Sequence, residues 1–278
     1  MLLFILPGLL AVFIQPVVSA TVNYAYAVDI DKAMTASTFN CFKKSGYNAV
    51  FIRAYNPQGS GLFDANAPNN IRSAYSAGLG TEVFMTPQPK SAKTGAAQFK
   101  EMIDGLKKAN INVRTVWVQV TSPVNWGADS KTNIAFLNDI AKTAIVRISS
   151  SHLELTACQC RADANADSID RLYCSSGITI GYYTSVYDWN QITKNTPVTG
   201  TNIPLWYWNV NGGGPSGETP ANFNDFRAFG GFTQAMVKQF GQQESICGVV
   251  ANRDVYNTAA KKLFAISKME NGMMTIGL

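Results

Sequence analysis

The chain has 278 residues, 46% of them hydrophobic and 15% charged, and a formal net charge of +5. It is long enough for a large packed core, and its scattered basic residues, with no arginine-rich or aromatic-interleaved patch, argue against nucleic-acid binding. His152 is the only histidine, so a His-based metal site is excluded, and a Ser-His-Asp triad is left without support because no nucleophile elbow accompanies it.

Residues 1–20 hold no charge, are almost wholly apolar and end Val18-Ser19-Ala20, small residues where a signal peptidase reads. Pro7, Gly8, Gln15 and Pro16 interrupt the run, which favours an export signal over a membrane anchor. The mature chain is expected to be secreted or lysosomal, with no later segment apolar enough to span a bilayer. A mildly basic exported protein is drawn to anionic surfaces such as bacterial envelopes.

From there β-rich runs alternate with helix-like stretches, the pattern of a parallel α/β architecture. A strand over 24–30 precedes a helix over 37–45. A second strand over 47–55 leads to a helix over 67–77 that stops at Gly78. A third strand, 81–89, precedes a helix over 94–109, where Phe99, Met102, Ile103 and Leu106 share one face. The fourth strand covers 113–121 and its helix 133–144. Four more strands follow at 178–185, 204–210, 236–240 and 248–256, with few helices after the fifth. Eight strands suit a single closed, TIM-like, irregular β/α-barrel over 21–256. Residues 146–176 break the pattern and read as an irregular insertion or sequence foreign to the fold. Residues 257–278 read as a loosely attached tail.

Chemistry in such a barrel sits at the C-terminal strand ends. Here those ends carry Asp29 and Asp31, Arg53 and Tyr55, Thr86 and Gln88, Gln119 and Thr121, Tyr183 and Ser185, Trp206 and Trp208, Lys238 and Gln239, and Arg253 and Asp254. A mouth of aromatics, amides and hydroxyls with few acids suits a sugar polymer, although any single aromatic fits the core equally well. Asp31, Asp64 and Asp188 read as cap or turn residues. Gly212 to Gly217 matches G-x-G-x-x-G formally, but no βαβ unit surrounds it; no dinucleotide, cofactor or metal is expected.

Tyr26-Ala27-Val28-Asp29-Ile30 resembles the opening strand of glycoside hydrolase family 25, the Chalaropsis-type lysozymes. Phe51-Ile52-Arg53-Ala54-Tyr55, Ala77-Gly78-Leu79-Gly80, Gly181-Tyr182-Tyr183-Thr184-Ser185, Leu205-Trp206-Tyr207-Trp208 and Val237-Lys238-Gln239-Phe240 resemble its invertebrate branch. Thr86-Pro87-Gln88-Pro89 and the stretch from Gly212 to Pro220 look like its nematode members. The resemblance covers about 24–256 apart from 146–176. It implies a monomeric muramidase cleaving the β-1,4 bonds of peptidoglycan, in antibacterial defence or digestion of bacteria. It maps the family's first-strand acid onto Asp29 and its C-terminal acid onto Asp254. The family's Asp-x-Glu falls on Gln119-Val120-Thr121, and neither Gln119 nor Thr121 can act as a proton-donating carboxyl.

Two readings therefore stand: a hydrolase in which another carboxyl donates the proton, or a non-catalytic glycan-binding barrel. For the first, Glu218 in the Gly-rich loop is the candidate acid beside Asp29 and Asp254. Tyr55, Gln119, Thr121, Tyr183, Trp206, Trp208 and Gln239 are the expected sugar contacts in both. A chitinase-like hydrolase lacks its Asp-x-x-Asp-x-Asp-x-Glu signature here. Of the five cysteines, Cys41 and Cys247 lie in the regular fold and are the plausible pair; connectivity stays open. N-terminal sequencing of secreted material should begin near Thr21; an intact Met1 would refute the export reading.

Overall fold

The computed structural model describes residues 24–144, 178–200, 203–258 and 267–277. The expected export signal and the 146–176 stretch lie outside the described residues. In chain order the elements are β1 (Tyr24–Ile30), α1 (Ala36–Lys44), β2 (Tyr47–Asn56), β3 (Leu62–Phe63), α2 (Ala67–Ser76), β4 (Gly80–Met85), α3 (Gly95–Lys108), β5 (Ile111–Val113) and β6 (Thr115–Val120). Then come α4 (Ser130–Ala144), β7 (Thr179–Thr184), α5 (Val186–Thr193), β8 (Leu205–Trp208), β9 (Val237–Ile246), β10 (Val249–Asn257), β11 (Lys268–Glu270) and β12 (Met273–Ile276).

Eight of these strands close on themselves in the order β1-β10-β9-β8-β7-β6-β4-β2, with β1 pairing back to β2. Six neighbour pairs are parallel, as the alternating pattern predicts. The exception is β10, antiparallel to both β9 and β1. The reason is local: Cys247 and Gly248 alone join β9 to β10, at φ 54° and 77°, and a two-residue turn with positive φ at both positions joins only antiparallel strands. The expected eighth strand is thus present but reversed, and its first residues, not its last, stand at the mouth.

Helices coat the outside of the first two-thirds of the barrel. Thr35, Thr94 and Ser185 cap α1, α3 and α5 by accepting from Thr38 N, Ala97 N and Asp188 N. The α3 face expected from spacing, Phe99, Met102, Ile103 and Leu106, is buried. The sequence expectation passed over α5. Part of the expected tail is sheet: β12 pairs with β5 in parallel and with β11 antiparallel, and Gly277 N donates to Thr81 O. This small sheet lies by the N-terminal ends of β4 and β6, away from the mouth.

Strand alternation sends Ala27, Phe51, Phe84, Trp117, Tyr183, Trp206, Val237 and Tyr256 into the barrel as one cluster. Trp206 is its centre, stacked on Tyr183 at 4.0 Å between centroids and 4.4 Å from Phe51. Trp117 fits because Gly181 has no side chain; a Cβ there would come within 2.6 Å of the indole.

Glu82 is also enclosed here, with Trp117 Nε1 donating to its Oε2 at 3.1 Å. Burial raises its pKa from 4.5 to about 8. A raised carboxyl stabilises the fold fully below its unfolded pKa, and that contribution is lost as pH rises through the folded value. Glu82→Gln should therefore gain thermal stability relative to the native chain as pH climbs from about 5 to about 8. A difference in Tm that stays flat over that range would show that Glu82 is ionised in the fold.

Candidate active site

Asp29 ends the inward row of β1 at the barrel mouth and is 5% exposed. Both carboxylate oxygens are engaged: Gln239 Nε2 of β9 donates to Oδ2 at 2.6 Å, and Asn252 Nδ2 of β10 donates to Oδ1 at 2.9 Å. Gln242 Nε2 donates to Gln239 Oε1, and Gln243 N to Asn252 Oδ1, so both amides are oriented by their own hairpin. Burial pushes the Asp29 pKa up to about 6; the two amide donors oppose the shift and Asp31 adds to it.

Asp254 lies one layer deeper, opposite Ala27 and Gln239 in register, and is fully buried. Its Oδ1 accepts from Trp206 Nε1 at 2.9 Å, while its Oδ2 finds no donor. Burial first, and the neighbouring Asp29 second, hold its pKa well above the usual carboxylate range. An acid that keeps its proton accounts for the oxygen without a donor, because that oxygen carries the hydrogen itself. Asp29 and Asp254 thus behave as a pair: the deeper member holds the proton and the one at the mouth titrates near pH 6.

A pocket of about 430 Å³ opens at the ends of β2, β4 and β6, lined by Asn56, Gln58, Thr86, Gln88, Gln119, Thr121 and Trp126 among others; neither Asp29 nor Asp254 lines it. Thr86 Oγ1 donates to Gln119 Oε1 at 2.6 Å, and Gln119 Nε2 to Thr121 Oγ1 at 3.1 Å. The pocket mixes amides and hydroxyls with Pro57, Pro87 and Trp126 and is lined by no carboxylate. Its floor has the same neutral Gln-x-Thr that the sequence places where the family pattern has two acids.

Other expected residues fall elsewhere. Tyr55 does not reach the mouth. A bulge between Arg53 and Tyr55 in the pairing of β2 with β4 reverses the alternation, and Tyr55 points outward to donate to Glu101 Oε2 of α3 at 2.9 Å. Trp206 is fully buried and acts as the donor to Asp254 instead of a sugar platform. Gln239 is buried with its amide spent on Asp29, and Tyr183 is 4% exposed beneath the mouth. Glu218 is not a mouth acid. Its Oε1 pairs with Arg253 Nη1 at 2.5 Å, and Arg253 lies over the Phe240 ring on the outer face of the sheet, while its strand neighbour Asp254 points inward.

Ser185 is the N-cap of α5; Asp188, expected as a cap or turn residue, sits in the first turn, its backbone N–H donating to Ser185 Oγ and its Oδ2 accepting from that hydroxyl. The same oxygen takes Trp208 Nε1 at 2.8 Å, and the Ser122 backbone N–H also donates to the carboxylate. Ser122 has φ 55°, a left-handed conformation costly for a residue with a side chain. One carboxylate therefore ties together the ends of β6, β7 and β8 and aims the half-buried Trp208 along the mouth. Asp31 and Asp64 flank Arg53, which bonds to both. Asn252 had no signal in the sequence beyond its place two residues before Asp254.

The fold is a closed eight-stranded α/β-barrel with a buried carboxyl pair toward the mouth and an amide-lined pocket at the ends of β2, β4 and β6. A family model described as Lysozyme-like protein 1 matches residues 20–150 and 155–240, across most of the 146–176 stretch. The chain is 48% identical over 234 residues to Lysozyme-like protein 7 of Caenorhabditis elegans, covering 84% of this chain and 72% of that one. It is 31% identical over 223 residues to the probable GH family 25 lysozyme 2 of Dictyostelium discoideum, covering 80% and 86%. The chain belongs to the lysozyme-like proteins of glycoside hydrolase family 25. Its fold matches that of a muramidase from Trichobolus zukalii, with a TM-score of 0.57, 15% identity and coverage of 86% and 96%. A family GH25 lysozyme from Aspergillus fumigatus gives a TM-score of 0.57 at 16% identity, covering 86% and 97%.

Because Glu218 is held on the outer face, Glu218→Gln should leave the Asp29 titration near pH 6 unmoved when followed by carbon-13 carboxyl NMR. A displaced titration would place Glu218 at the mouth after all.

Proposed function

We propose that the chain is an exported, monomeric lysozyme-type glycoside hydrolase acting on the β-1,4 linkages of bacterial peptidoglycan, in defence or in digestion. The observation that carries this reading is Asp29: a carboxyl at the barrel mouth, desolvated so that it titrates at about 6. Such a group is protonated often enough near neutrality to deliver a proton to a leaving glycosidic oxygen. Amides and hydroxyls of the pocket at the ends of β2, β4 and β6, with Trp126 in its wall, suit the acetamido and hydroxyl groups of amino sugars. Trp208, aimed by Asp188, offers an edge for an apolar pyranose face.

In this mechanism Asp254 stays protonated below Asp29, so that as Asp29 gives up its proton the negative charge left on it is shared with an acidic neighbour and two amide donors. No second carboxylate lines the described cleft in place of Gln119 and Thr121 to stabilise positive charge at the sugar, so turnover is slow for this class. The same neutral floor favours a second reading, a barrel that binds glycan without cleaving it.

Peptidoglycan zymography separates the two readings. The native protein should clear the substrate, Asp29→Asn should fold normally and lose activity by about a hundredfold or more, the scale of general acid catalysis, and the native rate should fall as pH rises above about 6, where Asp29 loses its proton. Binding to peptidoglycan without release of reducing ends, at any pH, would establish the binding-only barrel.

A further inference from the structure

The side chains that bond to the Asp29 carboxylate come from one antiparallel hairpin. Gln239 sits on β9 and Asn252 on β10, and each is braced within the hairpin, by Gln242 and by the Gln243 backbone. The hairpin outruns the barrel: β1 pairs with β10 only as far as Asn252, so Val249, Val250 and Ala251 pair with β9 alone. Hydrogen bonds to the barrel wall therefore stop at the residue that holds Asp29.

Beyond that point the hairpin is held on its β9 arm by the Gly-rich loop, where Gly213 bridges to Gln242 and Gly214 N donates to Gln242 O, and at its turn. Cys247 is disulfide-bonded to Cys41 in α1, with a Cα–Cα distance of 5.9 Å. This closes a loop of 206 residues in sequence separation, and it fixes the free end of the hairpin to the helix that follows β1. The strand carrying Asp29 and the helix holding the hairpin tip are thus consecutive elements, and Asn252 is held between them.

We propose that Asn252 is a positioning residue for Asp29, and that the Cys41–Cys247 disulfide sets its position by pinning the hairpin that carries it. An amide that donates to a carboxylate favours the charged form and fixes its rotamer. With Asn252 withdrawn, Asp29 keeps its burial, its acidic neighbours and its hydrogen bond with Asp254, but loses one of its two amide donors. Those neighbours are Asp254 on β10, the Tyr183 hydroxyl of β7, and Asp31, itself paired with Arg53 of β2. Asp29 then becomes a weaker acid, and its carboxylate is free to rotate. Reduction of the disulfide acts in the same direction through the same residue.

The inference rests on the hydrolase reading only for its effect on turnover; the positioning itself is read without activity. Carbon-13 carboxyl NMR on the full exported chain follows the Asp29 titration in four proteins: native, Asn252→Ala, Cys41→Ser/Cys247→Ser, and the triple variant. Asn252→Ala should make Asp29 about tenfold weaker as an acid, the scale of losing one hydrogen bond to a charge. The double serine variant should shift it in the same direction by less. The triple variant should match Asn252→Ala, because the disulfide acts through that amide. An unmoved titration in Asn252→Ala overturns the positioning role. A double serine variant that melts lower yet titrates as native, or a triple variant whose shift is the sum of the two, overturns the disulfide's part. If the native protein hydrolyses peptidoglycan, the high-pH limb of its rate profile should move with the titration. If it hydrolyses nothing, the proposed function fails while the titrations still decide this inference.

Discussion

The site depends on holding one carboxyl, Asp29, out of water at the end of β1. Removing a carboxylate from solvent costs several kcal/mol even after relaxation, and the fold meets that cost in two ways. Two side-chain amides donate to its oxygens, each charge-assisted bond contributing on the order of 1.5–3 kcal/mol. The remaining deficit appears as a raised pKa, so that near neutrality the group carries its proton part of the time. Asp254 beneath it stays protonated, since two adjacent buried carboxyls do not both ionise.

The reversal of β10 makes this arrangement possible. A parallel eighth strand would need a crossover helix and would present its last residues at the mouth. The two-residue turn at Cys247 and Gly248 instead folds β10 straight back, which puts Asn252 level with Asp29 and Asp254 one layer below. Trp206, at the centre of the aromatic cluster, then reaches Asp254 with its indole N–H. The barrel core and the site are therefore one packing problem: the rings that fill the interior also supply a donor to the deeper acid.

Much of this was legible in the sequence. The strand and helix periodicities gave all eight barrel strands, with the seventh expected to end six residues before β9 does and the third to run four residues past β4, and the family resemblance pointed to Asp29 at the end of the first. Where the reading failed, the cause was an interaction between elements. Tyr55 is turned away by a bulge that depends on the pairing of β2 with β4, and sequence alternation alone predicts the opposite face. Glu218 is claimed by Arg253, a partner 35 positions away. Asn252 is an ordinary amide until register places it against a residue 223 positions distant. The reversal of β10 was not anticipated: the alternating pattern predicts a parallel architecture, and the two-residue turn at Cys247 and Gly248 shows itself only in the backbone.

The proposed reaction puts the scissile oxygen at Asp29 and an acetamido group over the amides of the pocket that holds Gln119 and Thr121. The most direct test is a crystal structure of Asp29→Asn with a bound peptidoglycan fragment. The account predicts the glycosidic oxygen within hydrogen-bond reach of residue 29, about 3 Å, and a sugar ring in the pocket lined by Thr86, Gln119 and Trp126. A fragment seated away from residue 29, with that side chain still covered by Gln239 and Asn252, would contradict it.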